Sequence, residues 1–480
     1  MKLKYILPLC IALQLCTSKL WSQNKSDQPN ILFIAIDDMN DWTGFLGGHP
    51  ESITPNLDKL AEEGINFTNA HCSAPGCSPS RNALLYGVEP YNSGLYPFYD
   101  EGIHQSLMKK YTSLPRLFKE NGYETYGAGK IHHGSKNDPR EWTEYENDKP
   151  EGKKKFKEGE GYRLGKSNKM SFRPTHHPDK DHKDYIVASY GVDVLNRQHD
   201  KPFFLAVGIV KPHLPFDAPK RFFDALPDSI LPPAIKANDL KDIPMEGKKI
   251  RKAGEANKFH RDQAWSDVRK AYLACISWAD FNIGRVLSAL ENSEYADNTV
   301  VVVWSDHGFH LGEKGAFKKF TLWERATRVP FIIYDPRSPQ QKGRTYDESV
   351  SLINIYKTLA DMTGIEVPDY VDGQSLVPVL NNQTTQMTYP TIISWGKGNY
   401  AVRSKDYRYI HYFDGSEELY NHLNDKNEWH NVVDKSQYQE IKNELKTYLP
   451  KDEAPMIKEY VNPWSVEGEN REEYRPVKQK

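Results

Sequence analysis

Cysteine is scarce in this chain, at five residues in 480, and no Cys-x-x-Cys occurs. That leaves neither a disulfide framework nor a thiolate zinc site to organise the fold. A surplus of charge of one sign is missing too. The 63 Lys and Arg stand against 65 Asp and Glu, spread along the sequence, so composition gives no ground for a nucleic-acid partner. Long apolar runs are also lacking. The run from Tyr5 to Cys16 is too short to span a bilayer comfortably, and a mean hydropathy of -0.72 argues against an integral membrane protein. No internal repeat divides the sequence. What is present is enough chain for one large core and a smaller second one.

Lys2 and Lys4 precede the apolar run, and polar sequence begins by Ser22. This pattern marks residues 1–22 as a secretory signal peptide cut near Ser22-Gln23. The expected location is therefore periplasmic or secreted, without stable membrane insertion. A lipoprotein anchor on Cys16 is the less favoured rival, because Leu13-Gln14-Leu15 is a poor lead-in. Cys10 and Cys16 leave with the signal. Of the rest, Cys72 and Cys275 can pair or stay apart, and Cys275 shares a helical face with Ala271, Ala274 and Trp278, which favours burial.

Cys77-Ser78-Pro79-Ser80-Arg81 is the stretch with chemical promise. Pro79 suits the first turn of a helix running on through Leu84-Leu85 to Gly87. The first N–H groups of that helix and the rigid Arg81 fork would face one spot, conditions that lower a thiol pKa or hold an oxyanion. By spacing alone, a buried cysteine ahead of a helix reads equally well.

Three apolar runs read as buried strands that stop abruptly in polar clusters. Ile31–Ile36 ends in Asp37-Asp38, Phe203–Ile209 in Lys211-Pro212-His213, and Val300–Trp304 leads into Asp306-His307-Gly308-Phe309-His310. In an open α/β sheet the carboxyl ends of strands are where ligands bind. Two adjacent carboxylates there repel unless a cation lies between them; a solvated loop is the alternative. Thr54 and Pro55 start a helix that Gly64 ends. Gly127-Ala128-Gly129 lets backbone approach a ligand closely beside Lys130, His132 and His133. Residues 138–184 are polar and read as an inserted surface loop, with Lys153-Lys154-Lys155 a solvated face and the His176–His182 cluster better suited to the mouth of a cleft than to a metal. A helix from about Trp265 to Leu290, another over Leu352–Met362, and a short linker at 382–386 precede antiparallel strands around Thr391–Trp395, Tyr400–Arg403 and Tyr407–His411.

Cys77-x-Pro79-Ser80-Arg81, with Leu84 and Gly87, resembles the C-x-P-S-R signature of the type I sulfatases. The likeness extends from Asn30 to about Asn431 through Asp37-Asp38, Thr54-Pro55-Asn56-Leu57, the Lys130 region, Lys211-Pro212-His213, Asp306-His307 and Glu418-Leu419-Tyr420. Tyr86 departs from it, standing where the family often has Thr. Within the family the iduronate-2-sulfatase-like branch looks nearest. The resemblance implies an alkaline-phosphatase-like α/β fold with a doubly wound, mainly parallel sheet. It also implies a catalytic domain over 23–384, with the polar insertion around 138–184, and a C-terminal subdomain over 385–480 carrying a small antiparallel sheet.

The resemblance further implies that a formylglycine-generating enzyme converts Cys77 to formylglycine, whose hydrated aldehyde is the nucleophile. Asp37, Asp38 and Asp306 would hold Ca²⁺ with the modified Cys77, and His307 would be a ligand or near-ligand. Arg81, Lys130, His213 and Lys319 would neutralise sulfate oxygens, with Lys314 and Lys318 competing for the place of Lys319. His132 would assist collapse of the intermediate, with His133 as its alternative, and His213 or Lys319 would protonate the leaving oxygen. His310 is the first additional histidine expected to touch substrate. The implied substrate is a sulfated carbohydrate from a polysaccharide, attacked in exo fashion. The rival readings are a phosphate or phosphonate monoester hydrolase on the same fold and an inactive secreted carbohydrate-binding protein.

Overall fold

Asn30–Asp37 (β1) is buried along its whole length, as a continuous apolar strand must be when both faces of its sheet are covered. The computed structural model describes residues 28–100, 102–134, 138–146, 160–165, 168–384 and 386–461. The expected signal peptide and Lys153-Lys154-Lys155 lie outside them. Around β1 are Ile65–Phe67 (β2), Glu124–Gly129 (β3), Glu144–Glu146 (β4), Phe203–Pro212 (β5), Thr299–Ser305 (β6), Phe331–Tyr334 (β7) and Arg344–Tyr346 (β8). They form one sheet in the order β8-β2-β7-β6-β1-β5-β3-β4. β1 runs parallel to both β6 and β5, and β3 parallel to β5 and β4. β7 is antiparallel to β6 and β2. The sheet is thus mixed and mainly parallel, on the α/β plan the sequence implied.

Alternation along β1 divides the interior in two. Leu32, Ile34 and Ile36 face a core that includes Pro55–Glu63 (α1), Lys183–Leu195 (α3) and Trp265–Glu291 (α4). Ile31, Phe33 and Ala35 face the other core, with Cys77–Tyr86 (α2) and Asn354–Thr363 (α5). Cys275 lies in the first core and Cys72 in the second, both buried and neither in a disulfide. The sheet itself keeps them apart.

Helix α1 begins at Pro55 as expected, but Thr54 does not cap it. Its hydroxyl donates to Asp58 Oδ1 at 2.9 Å, and the Leu57 amide is taken instead by Asp280 Oδ1 of α4, at 2.9 Å. The 138–184 stretch is more than a surface loop in its described part. Tyr162–Arg163 and Ser171–Thr175 form a three-stranded sheet with Phe216–Pro219, and Phe172 enters the core.

Thr391–Ser394 (β9), Tyr400–Arg403 (β10) and Tyr407–His411 (β11) make the expected antiparallel strands, and Glu417–Asn421 (β12) adds a fourth that the sequence reading did not place. Gln439–Lys446 (α6) packs on one side through Leu445, against Val402, Tyr409 and Leu419. The other side, through Ile393, Trp395, Ala401 and Ile410, joins a cluster that contains Cys77 and Phe320. Among the described residues, no helix is long and apolar enough to cross a membrane.

Candidate active site

The parallel register of β1 and β6 pairs Ile36 with Ser305, so Asp37, Asp38 and Asp306 emerge side by side at one edge of the sheet. Asp38 turns the chain in the left-handed region, φ 67°, a conformation a non-glycine residue keeps only where its surroundings hold it. Its N–H donates to Asp306 Oδ1 at 3.1 Å, and its carbonyl accepts from the Tyr272 hydroxyl at 2.7 Å.

Helix α2 begins at Cys77 beside these carboxylates. Cys77 Sγ lies 3.2 Å from His307 Nε2, 3.7 Å from Asp38 Oδ1 and 3.0 Å from Lys319 Nζ. The residue is 1% exposed. Lys319 also pairs with Asp38 Oδ1 at 2.5 Å. Its competitors are engaged elsewhere: Lys314 with Asp239 and the Glu428 carbonyl, Lys318 with Glu255. Lys130 Nζ pairs with Asp37 Oδ2 at 2.5 Å.

At Asp37, Asp38, Lys130 and Lys319 burial works against charge, and the mutual pairing overrides it. Asp37 is held well below the usual carboxylate range, burial notwithstanding, chiefly by Lys130 and His213. Asp38 is lowered likewise by Lys319 and His213. Lys319 is pushed up by Asp38 and Cys77 against burial. His213 goes the other way, lowered by burial despite Asp38 and Asp37, and its Nδ1–H donates to the Leu214 carbonyl at 2.7 Å.

Three of the expected site residues have partners that the sequence did not indicate. Arg81 is wholly buried and spends its donors inside the protein: Nε on Asp306 Oδ2 at 2.8 Å, and Nη1 on the Lys130 and Ile131 carbonyls at 2.5 and 2.9 Å. These contacts tie it to Asp306 and to the backbone of the Lys130 loop. His132 turns away, its Nε2 2.9 Å from Glu141 Oε1. His133 is the ring that feels Lys130, Asp37, Arg81 and Lys319; burial first, then Lys130, lowers its pKa to about 3. His310 touches no open space. It is enclosed against Thr321 Oγ1 at 2.7 Å, and burial with Lys314 lowers its pKa to about 3.

Asp37, Asp38, Cys77 and His307 each offer a ligand atom within 4.8 Å of the others. Asp37 Oδ1 is buried with no hydrogen-bond partner. His307 Nδ1–H donates to the Gly308 carbonyl at 2.9 Å, which leaves Nε2 as the lone-pair atom facing the group. Without an ion, burial disfavours charge on His307, yet Asp306, Cys77 and Asp38 push its pKa up to about 10. Three carboxylates against Arg81, Lys130 and Lys319 sum to zero, so a dication would leave a net positive pocket. Two of the four donors are carboxylate oxygens and the others are Sγ and Nε2; Asp306 stands beside them with both oxygens already accepting, from the Asp38 N–H and from Arg81. An oxygen on residue 77 in place of Sγ would bring the set nearer to what Ca²⁺ takes, with His307 still atypical.

A second cluster, Glu324, His422 and Glu428, is already balanced by Arg403 and Arg408 and is an ionic tie, not a metal site.

The wall of the site comes from residues the sequence reading did not single out. The Trp395 ring stacks on Phe320 at 5.0 Å, Phe98 meets His133 edge-on at 4.5 Å, and a Cβ on Gly76 would come within 3.1 Å of Trp395. Phe98, Phe320 and Trp395 lie far apart in sequence, so no motif could join them.

Comparison with known proteins bears on the whole chain. A "Sulfatase" of Formosa agariphila is 37% identical over 476 residues, covering 95% of this chain and 93% of its own. The iduronate 2-sulfatase of Mus musculus is 29% identical, with 75% and 72% covered. The crystal structure of the phosphonate monoester hydrolase of Agrobacterium radiobacter superposes with a TM-score of 0.71 at 21% identity, over 88% of this chain and 95% of that one, a likeness of fold. No single branch dominates. The profile for N-sulphoglucosamine sulphohydrolase, C-terminal, matches residues 312–454, while the sulfatase profile matches residues 29–365. A profile spanning most of the chain and a relative matched nearly end to end agree, and the chain belongs to the sulfatase family of formylglycine-dependent hydrolases.

Proposed function

We propose that this protein hydrolyses a sulfate ester on a carbohydrate derived from a sulfated polysaccharide, with formylglycine made from Cys77 as nucleophile and Ca²⁺ as resident ion. The observation that carries the reading is the position of Cys77 Sγ, at the start of α2 and within 3.7 Å of Asp38, His307 and Lys319. Formylglycine there supplies a hydrated aldehyde able to attack sulfur and later release sulfate; Asp37, Asp38, Asp306 and His307 would hold the ion, which supplies positive charge to the ester's oxygens.

The chain's own residues do the rest. Lys130 and Lys319 are fixed cations beside the nucleophile, preorganised to receive negative charge. Lys319 keeps its proton next to Sγ, whereas His213 commits its Nδ1–H to the Leu214 carbonyl. The leaving oxygen's proton is therefore assigned to Lys319. His133 takes the part expected of His132, and Arg81 holds Asp306 in place. Exo action on a terminal sulfated sugar is part of the same proposal. Secretion or periplasmic residence and maturation by a formylglycine-generating enzyme belong to the same proposal, as do a catalytic domain over 23–384 and a C-terminal subdomain beyond it.

The test is peptide mass spectrometry of protein made with formylglycine-generating machinery, followed by sulfate release from defined sulfated oligosaccharides. A loss of about 18 Da on the Cys77 peptide, with sulfate release abolished in Cys77→Ala, is expected. An unmodified Cys77 in an inactive protein, or phosphate monoesters cleaved faster than any sulfate, would overturn the proposal.

A further inference from the structure

The loop that carries Lys130 and His133 is gripped from behind, carbonyl by carbonyl. The Tyr145 hydroxyl donates to the Gly129 carbonyl at 2.5 Å, and Arg81 donates to those of Lys130 and Ile131. His104 Nε2 donates to that of His133 at 3.1 Å. The residue between, His132, is held by its side chain. Its Nε2–H donates to Glu141 Oε1 at 2.9 Å, and the same oxygen accepts from the Ser113 hydroxyl at 2.5 Å. The His104 and His132 rings meet edge-on at 4.5 Å.

Glu141 has no exposure at all, yet it stays ionised: burial opposes this, and His132 with the Ser113 hydrogen bond prevails. Glu141 is itself anchored, its carbonyl accepting from Thr125 Oγ1 of β3 at 2.7 Å. A buried carboxylate is a costly way to fill space, since apolar side chains of similar volume are commonly as stable or more so. What it adds is direction. Two hydrogen bonds to one oxygen define where His132, and so the peptide units on either side of it, can sit.

We infer that Ser113, Glu141 and His132, with His104 beside them, form a positioning device for Lys130 and His133 that acts from behind the loop and touches no substrate. The inference rests on the sulfatase reading for its kinetic consequence. Displacement of a catalytic group by about 1 Å costs up to about 100-fold in rate, so the device governs kcat more than substrate binding.

The experiment compares His132→Ala, His132→Gln and Ser113→Ala by two readouts. One is kcat and KM for 4-nitrophenyl sulfate, and the other is amide hydrogen exchange of the peptide spanning 130–134. Gln places an N–H near the position of Nε2 but cannot serve as an acid or base. His132→Ala should lower kcat about 10- to 100-fold with KM nearly unchanged and should speed exchange of the loop. His132→Gln should restore both toward the parent, and Ser113→Ala, which leaves the Glu141–His132 bond in place, should move both slightly. A variant that loses activity while its loop exchanges like the parent would make His132 a chemical participant and overturn the inference. So would one that loosens the loop at parental activity, or a His132→Ala protein unchanged in both readouts. A parent enzyme that releases no sulfate would sink the functional proposal instead, and the exchange comparison would still decide the positioning role.

Discussion

Arg408 on β11 is fully buried at the junction between the C-terminal sheet and the segment that follows Lys319. Its Nη1 donates to the Leu322 carbonyl at 2.8 Å, and its Nη2 donates to Glu324 Oε2 at 2.5 Å and Thr327 Oγ1 at 3.0 Å. Its Nε lies 2.7 Å from Glu428 Oε1. With Arg403 on Glu324 at 3.0 Å, two cations balance two carboxylates, and buried His71 stays neutral, lowered by burial in spite of Glu324. Arg408→Ala leaves one buried negative charge uncompensated and strips a carbonyl of its donor. Removing one partner of a buried pair costs about 3–5 kcal/mol, and that is the expected loss in equilibrium urea unfolding followed by tryptophan fluorescence. Arg408→Lys keeps the charge but not the fork, so it should fall between. Adding Glu428→Gln to Arg408→Ala removes the orphaned charge, and the double variant should lose about 1–3 kcal/mol less than the sum of the singles. A loss under about 1 kcal/mol for Arg408→Ala, or strict additivity, would refute the idea that charge balance holds this junction.

Lys319→Ala should lower sulfate release about 100- to 1000-fold, because the cation nearest Cys77 Sγ is gone; loss of no more than a few-fold would return the leaving-group proton to His213. Chelation with EGTA should lower the melting temperature and abolish activity, both restored better by Ca²⁺ than by Mg²⁺, and an unchanged melting curve would count against a resident ion. Acid should weaken the fold through His310. The unfolded imidazole titrates near 6.5, while burial and Lys314 hold the folded one to about 3. Between those values only the unfolded chain takes up the proton, so stability is lost as pH falls from 6.5. At pH 5 the loss is about 2 kcal/mol, measurable by urea unfolding, and His310→Gln should remove that part of the slope.

The strand ends were legible because apolar runs that stop at charged residues declare both burial and exit. Asp37, Asp38 and Asp306 follow from that pattern, and the β1–β6 register then sets them side by side. Rotation of single side chains was not legible. His132 and His133 are adjacent in sequence, and which one faces the site depends on the bonds that Glu141 and His104 make from elements distant in sequence. His310 follows the same strand as Asp306, but Thr321 encloses it. The partners of Arg81 were not legible either, since they are the Asp306 carboxylate and backbone carbonyls of distant segments, which no motif records. The Phe98–Phe320–Trp395 wall is assembled from three separate segments and leaves no local signal.

That wall has a consequence for timing. β9 is tied to the loop before Cys77 by the Ser394 N–H on the Ser73 carbonyl at 2.8 Å, and Phe320 by its N–H on the Pro75 carbonyl at 3.0 Å. Once these bonds form, the backbone just before Cys77 is packed against Trp395 and Phe320 at Gly76, and Cys77 shares their buried cluster. Trp395 lies far downstream of Cys77 in the sequence, so a chain still being synthesised passes through an interval in which this cover does not yet exist. On the proposed conversion of Cys77 to formylglycine, that step would compete with completion of the C-terminal sheet, and slowing the completion of the chain should raise the yield of modified protein.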